Sequence, residues 1–327
     1  MPVTLIILIT LALIFDLTNG IRDSSNIVAT MITSRAMSPR WALTITALAE
    51  FSGPFIFGVA LAKTIGDEIV SPESISMAVI IAALVSAVLW NLFTWYLGLP
   101  SSSSHALIGG IVGSVAASVG WQQIHLAGLE KVLIALFTSP LIGFAIGYIV
   151  TILVTVLCLN ATPRVNTVFK RGQIITAVAL ALSHGTNDAQ KTMGIITMGL
   201  VTSGYAQEFA VPFWVVFACA AVIAIGTYLG GWRLIKTLGS KFYKIRPMDS
   251  FNIQFSSALV ILGASLIGGP VSTTQVVSTS IMGVGAAERI NKVRWGVAGE
   301  ILIAWFLTIP ATALVGAAAF WAISRII

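Results

Sequence analysis

Charge is what this chain has least of. Asp, Glu, Lys and Arg together make up 9% of its 327 residues, and only 12 side chains are acidic. A water-soluble domain carries about a quarter of its residues charged, so a soluble globular fold is excluded. Cysteine is nearly absent too. Cys158 and Cys219 both lie in apolar stretches without metal-ligand spacing, which leaves no disulfide framework or thiolate metal centre and makes them small packing residues. There is no hydrophilic domain, low-complexity tract or lipidation motif. The first twenty residues also lack a basic n-region and a small-residue cleavage site, so they are expected to form the first membrane helix instead of a signal peptide.

What remains is apolar. Hydrophobic residues make up 57% of the chain and mean hydropathy is +0.96. Runs of about 20 apolar residues recur, each long enough to cross a ~30 Å hydrocarbon layer. The expected class is therefore an all-α polytopic membrane protein, a single transport domain over 1–327 in contact with the lipid bilayer. The net charge of +6 sits in short loops between apolar runs, where the positive-inside rule puts it, and does not point to nucleic acid.

Two polar islands interrupt this pattern, GIRDSSN at 20–26 and GTNDAQK at 185–191. Each sets an aspartate, Asp23 or Asp188, inside an apolar segment, 165 residues apart. A charge at the bilayer centre costs roughly 2.5 to 3.5 kcal/mol on insertion scales, so a repeated one implies a use. A second pair follows at an offset of 170: Pro100-Ser101-Ser102-Ser103-Ser104-His105 matches Pro270-Val271-Ser272-Thr273-Thr274-Gln275. The same offset pairs Gly113 with Gly283, Thr138 with Thr308 and Pro140 with Pro310. The chain therefore divides into repeats at 1–160 and 173–327, joined by the basic loop around Arg164 to Arg171.

Loop charge orients the repeats. Basic loops at Arg35/Arg40, Arg164/Lys170/Arg171, Arg233 to Arg246 and Arg289/Lys292/Arg294 are placed inside, and the acidic loops near Asp67, Glu68, Glu73 and near Glu208 outside. Residues 3–33 and 131–158 then run inward and 41–64 outward, while 174–201 and 296–323 run outward and 213–232 inward. Segments 75–130 and 249–288 return to their own side. The plan is two inverted-topology repeats, each with transmembrane helices and a re-entrant helical hairpin, with both termini extracytoplasmic and the chain in the plasma membrane. Non-helical backbone at membrane depth needs protein or water around it, so the Pro-Ser/Thr tips should point at a central site.

Proline is tolerated in the first turn of a helix but not in its interior, so each tip reads as a break that starts a half-helix. Its free N–H groups and the dipole favour an anion, with Ser102, Ser103, Ser104, Ser272, Thr273 and Thr274 adding hydroxyls. The plainer alternative is that these hydroxyls cap helix ends or pack between helices. The islands supply hard oxygen ligands for a cation: Asp23 and Asn26 in one half, Asn187, Asp188 and Gln190 in the other. Two carboxylates beside a bound dianion repel it at low dielectric, so a cation must enter with it. Arg22 and Lys191 either pair with Asp23 and Asp188 or touch the substrate; an ion pair that only locks helices is the structural alternative. Glu50 and Glu300 also fall in apolar segments and are candidate cation ligands, with Asp16 and Asn19 weaker ones. His105 has Gln275 as its counterpart, which favours hydrogen bonding at the tip over proton transfer. Tryptophans such as Trp90, Trp95, Trp121 and Trp321 read as interfacial anchors.

Asn19-Gly20-x-x-Asp23-x-x-Asn26, Gly185-x-Asn187-Asp188-x-Gln190-Lys191 and the two Pro-x-Ser-Ser/Thr-Ser/Thr tips resemble the inorganic phosphate transporter (PiT, solute carrier 20) family over nearly the whole chain. The resemblance implies phosphate import by cation symport, with sodium in some members and protons in others, on a duplicated inverted fold. It also implies that Asp23, Asn26, Asp188, Lys191 and the tip residues form the phosphate and cation site. The chain departs from the family at Arg22, where asparagine or histidine is more common, and at Ser103 and Gln275, where threonine and histidine are.

The expectation is thus a phosphate symporter, with Na+ at Asp23 and Asp188 as coupling ion and no other cofactor. The alternatives are proton coupling and a sulfate or other oxyanion permease on the same scaffold. A proton on phosphate that a carboxylate can accept favours phosphate over sulfate. A passive anion channel would be lined by Lys or Arg instead of paired carboxylates. An intramembrane hydrolase built on Ser104 and His105 fails because adjacent residues rarely meet as nucleophile and base. No enzyme activity is expected, and a homodimer is compatible with the scaffold.

Overall fold

A computed structural model describes residues 2–71 and 75–326. Glu73, used above to place its loop outside, lies outside the described residues. The chain folds into α1 (Val3–Thr33), α2 (Pro39–Phe57), α3 (Ala60–Lys63), α4 (Met77–Leu97), α5 (Ser103–Ser118) and α6 (Leu126–Leu157), then α7 (Val165–Thr202), α8 (Phe213–Leu229), α9 (Trp232–Ser240), α10 (Pro247–Leu266), α11 (Thr273–Glu288) and α12 (Trp295–Ile323). The second six repeat the first six in kind: a long helix, a bent pair, a hairpin, and a long helix with an internal proline, Pro140 or Pro310. No strand occurs among the described residues.

The element ends follow from local chemistry. Pro39 and Pro247 sit at the first turns of α2 and α10, where a missing N–H costs nothing. The bent pairs break at Gly58 (φ 82°) and Gly230 (φ 77°), in the left-handed region that other residues avoid. The segment from α2 through Glu68 is bent by 79° and that from α8 through α9 by 70°, each a broken span or a re-entrant loop, so a bend interrupts the expected 41–64 run at Gly58 and ends the 213–232 run at Gly230. Helices α1, α4, α6 and α12 are each long and apolar enough to cross a bilayer. On α6 and α12, Leu141, Leu153, Phe306 and Leu314 are exposed, an outward face suited to lipid chains.

Two hydrophobic clusters fill the interior, with polar residues between them. The N-terminal part of α1, Leu5 to Phe15, packs in one cluster with Ala189 to Leu200 of α7. Ile27 to Met31 of α1 join Ala177 to Ala181 of α7 in the other. The two equivalent long helices therefore run antiparallel, as inversion requires, and both islands fall in the layer between the clusters. Each hairpin is covered by the other half, α5 by α12 and α11 by α6. The paired glycines explain the closeness: a Cβ on Gly113 would strike the Ala313 backbone, and one on Gly283 that of Phe144.

Candidate functional site

The two hairpin tips enter this polar layer as helix N-termini. Ser102 caps α5 by accepting from His105 N–H (3.1 Å), and Ser272 caps α11 by accepting from Gln275 N–H (3.3 Å). The capping alternative therefore describes these two hydroxyls. Of the next two residues in each tip, Thr273 and Thr274 bond the aspartates and Ser104 bonds the Val271 carbonyl. Ser103, Ser104, Thr273 and Thr274 are buried, as are Asp23, Asn26, Asp188 and Lys191, so the site is closed to solvent in this conformation.

Both aspartates converge on consecutive residues of one tip. The Thr274 hydroxyl donates to Asp23 Oδ1 (3.0 Å) and accepts from Asn26 Nδ2 (3.1 Å), which ties the second hairpin to the first half's island. The Thr273 hydroxyl donates to Asp188 Oδ2 (2.9 Å). Lys191 donates to Asp188 Oδ1 and to the carbonyl of Val271 (3.3 Å), which also accepts from Ser104 (3.1 Å).

Helix geometry separates the other candidates. Neighbouring side chains on a helix point about 100° apart, so Arg22 does not pair with Asp23. Its guanidinium donates to Asn91 Oδ1 on α4 and to the Ser101 carbonyl (2.8 Å). Asn187 turns toward α10 for the same reason and donates to Ser265 (2.9 Å), away from the carboxylates. Gln190 satisfies the broken backbone of the α2–α3 bend, accepting from Leu61 N–H (2.7 Å) and donating to the Gly58 carbonyl (2.8 Å). Glu300 is exposed near the start of α12 and does not join the cluster.

Glu50 joins through a residue that sequence reasoning missed. Fully buried His184 holds Glu50 Oε1 at 2.5 Å from its Nδ1. Its Nε2 lies 2.7 Å from Asp188 Oδ2 and 3.8 Å from Asp23 Oδ2, close but not aligned for a hydrogen bond. Ligand atoms of Asp23, His184 and Asp188 all lie within 4.8 Å of one another, a grouping that could hold a metal ion. The carboxylates of Asp23, Asp188 and Glu50 are met by Arg22, Lys191 and His184, whose two ring nitrogens each lie beside a carboxylate oxygen. One Asp23 oxygen, one Glu50 oxygen and Asn26 Oδ1 have no protein partner. Unmatched buried oxygens call for a donor or a cation. A signal for His184 was present, since the offset of 165 that pairs the aspartates carries Asn19 onto it.

The comparisons with known proteins point to one family. A family model described as the phosphate transporter family matches twice, over residues 19–164 and 158–316. A probable low-affinity inorganic phosphate transporter of Rhizobium meliloti (strain 1021) is 44% identical over 317 residues, covering 96% of this chain and 95% of its own. One of the same description from Bacillus subtilis (strain 168) is 43% identical over 325 residues, 98% and 97% of the two chains. Among solved structures, one described as the sodium-dependent phosphate transporter superposes with a TM-score of 0.92 at 25% identity, over 100% of both chains.

Proposed function

The chain belongs to the phosphate transporter family, and from that premise we propose that it imports inorganic phosphate by sodium symport, exposing one central site alternately to the two sides of the plasma membrane. It is a multi-pass membrane transporter and not an enzyme. The repeats are 1–160 and 173–327, inserted with opposite orientation, with both termini outside. The exposed apolar belt faces lipid and, in a homodimer, a second copy.

In this scheme Asp23 and Asp188 hold sodium, with Asn26 and Glu50 lending oxygen, and the N-termini of α5 and α11 cradle phosphate through Ser103, Ser104, Thr273 and Thr274. Ser102 and Ser272 shape the cradle as caps. Lys191 offsets the dianion's charge, and Arg22 adds a fixed positive field from beside the first tip. One observation carries the proposal: consecutive threonines of one hairpin tip bond the two aspartates contributed by opposite halves. A ligand at that tip is therefore felt by both halves. Sodium is favoured by the oxygen-rich ligand set and by the name of the structural neighbour.

Proton coupling is the second reading, and His184 among three carboxylates is the observation that favours it. The test is uptake of radiolabelled phosphate by the purified protein in liposomes under a sodium gradient, a proton gradient or neither, with excess sulfate as competitor. Sodium-driven accumulation that sulfate leaves intact is expected. Accumulation driven only by protons selects the second reading, uptake indifferent to both gradients rejects symport, and strong sulfate competition rejects phosphate specificity.

A further inference from the structure

Asp16 and Asn19 lie on the same face of α1 as Asp23, seven and four residues before it, and the central site uses neither. Both are fully buried. Neither carboxylate oxygen of Asp16, and neither polar atom of the Asn19 amide, has a hydrogen-bond partner among the described residues. Thr192, one turn beyond Asp188 on α7, is the hydroxyl that faces Asp16, near it but outside good hydrogen-bond geometry. The charges that act on Asp16 are Glu50, Asp188 and Lys191. Two of these repel a carboxylate, and Lys191 is already bonded to Asp188. A carboxylate with one weakly placed hydroxyl donor in a dry interior costs several kcal/mol, so something neutralises it.

We propose that Asp16, Asn19 and Thr192 form a second sodium site on the outward side of the central one. It rests on the sodium-symport reading above. A proton on Asp16 can also be donated to the Asn19 oxygen, so proton uptake is an arm of the test below. A cation meets both Asp16 oxygens, the Asn19 oxygen and the Thr192 hydroxyl at once, all of them hard ligands. The single carboxylate balances a monovalent ion, whereas a divalent one would leave uncompensated charge. Asp16 stands about 10 Å along the helix from Asp23, toward the end of α1 that loop charge places outside. Sodium arriving from that side reaches Asp16 first.

The experiment is equilibrium binding of radioactive sodium to the purified full-length protein without phosphate, paired with the sodium dependence of phosphate uptake. Asp16→Asn should bind one sodium fewer per chain, and the Hill slope for sodium should fall by about one. Thr192→Val keeps the carboxylate, so it should retain the sodium count while raising half-saturating sodium about tenfold, and it carries the test if Asp16→Asn does not fold. Sodium that both variants bind with wild-type number and affinity overturns the outer site and leaves the symport proposal standing. A wild type that binds no sodium overturns both. A changed proton uptake in Asp16→Asn at an unchanged sodium count assigns the site to a proton and overturns it as a sodium site.

Discussion

The two hairpin tips are built to one plan and held in opposite ways. The first is fastened to framework. The Pro100 carbonyl accepts from Trp305 (2.9 Å), the Ser101 carbonyl from Arg22 (2.8 Å), and the Ser101 hydroxyl meets Trp90 (2.8 Å) and Thr308 (3.2 Å). The second is fastened to the site: Thr273 to Asp188, Thr274 to Asp23 and Asn26, and the Val271 carbonyl to Lys191. In the proposed scheme, ions and phosphate compete for the contacts that hold the second tip, and at the first only for the Ser104 bond to the Val271 carbonyl. That scheme couples occupancy to the position of the second hairpin and leaves the first as a wall.

The strongest way to break the contrast is at the aspartates. Asp23→Asn and Asp188→Asn should each lower cation-driven uptake more than about 100-fold, read as initial rates in liposomes. They should differ in stability, because only Asp188→Asn strips the bonded counterion from buried Lys191, at a cost of about 3 kcal/mol. A Tm equal to that of Asp23→Asn would contradict that assignment. Next comes Arg22→Gln, which removes a charged donor from the wall. It should cost about 2 kcal/mol in Tm-derived stability with little change in half-saturating sodium.

Smaller substitutions sharpen the same contrast. Thr274→Val keeps the shape but cuts the link to Asp23, so half-saturating sodium should rise about tenfold with a modest change in Tm. Ser101→Ala should do the reverse, losing about 1 kcal/mol of stability and keeping sodium affinity. Glu300→Gln, exposed and away from the cluster, should leave both transport and Tm at wild-type values; a tenfold loss of uptake would return Glu300 to the site.

Much of this was legible because duplication repeats its signal. The aspartates, the tips and the paired glycines all declared themselves at fixed offsets, and loop charge was enough to invert the halves. What stayed hidden depends on angle. Asn187 and Asp188 are adjacent in sequence, yet one reaches Ser265 and the other the central site. Glu50 and Glu300 look alike in hydropathy, and only packing shows that one faces His184 and the other the exterior. His184 was obscured because its counterpart Asn19 has different chemistry, so the repeat does not look like one at that position. The bends at Gly58 and Gly230 were also missed, since hydropathy averages across a break without registering it.

The central claim is that the two halves build one site between them. Equilibrium binding of radiolabelled phosphate to the purified protein at saturating sodium tests it most directly. The account predicts one phosphate per chain, dependent on sodium and lost in both Asp23→Asn and Asp188→Asn. Two phosphates per chain, or half the binding surviving in each single variant, would contradict it by giving each half a site of its own.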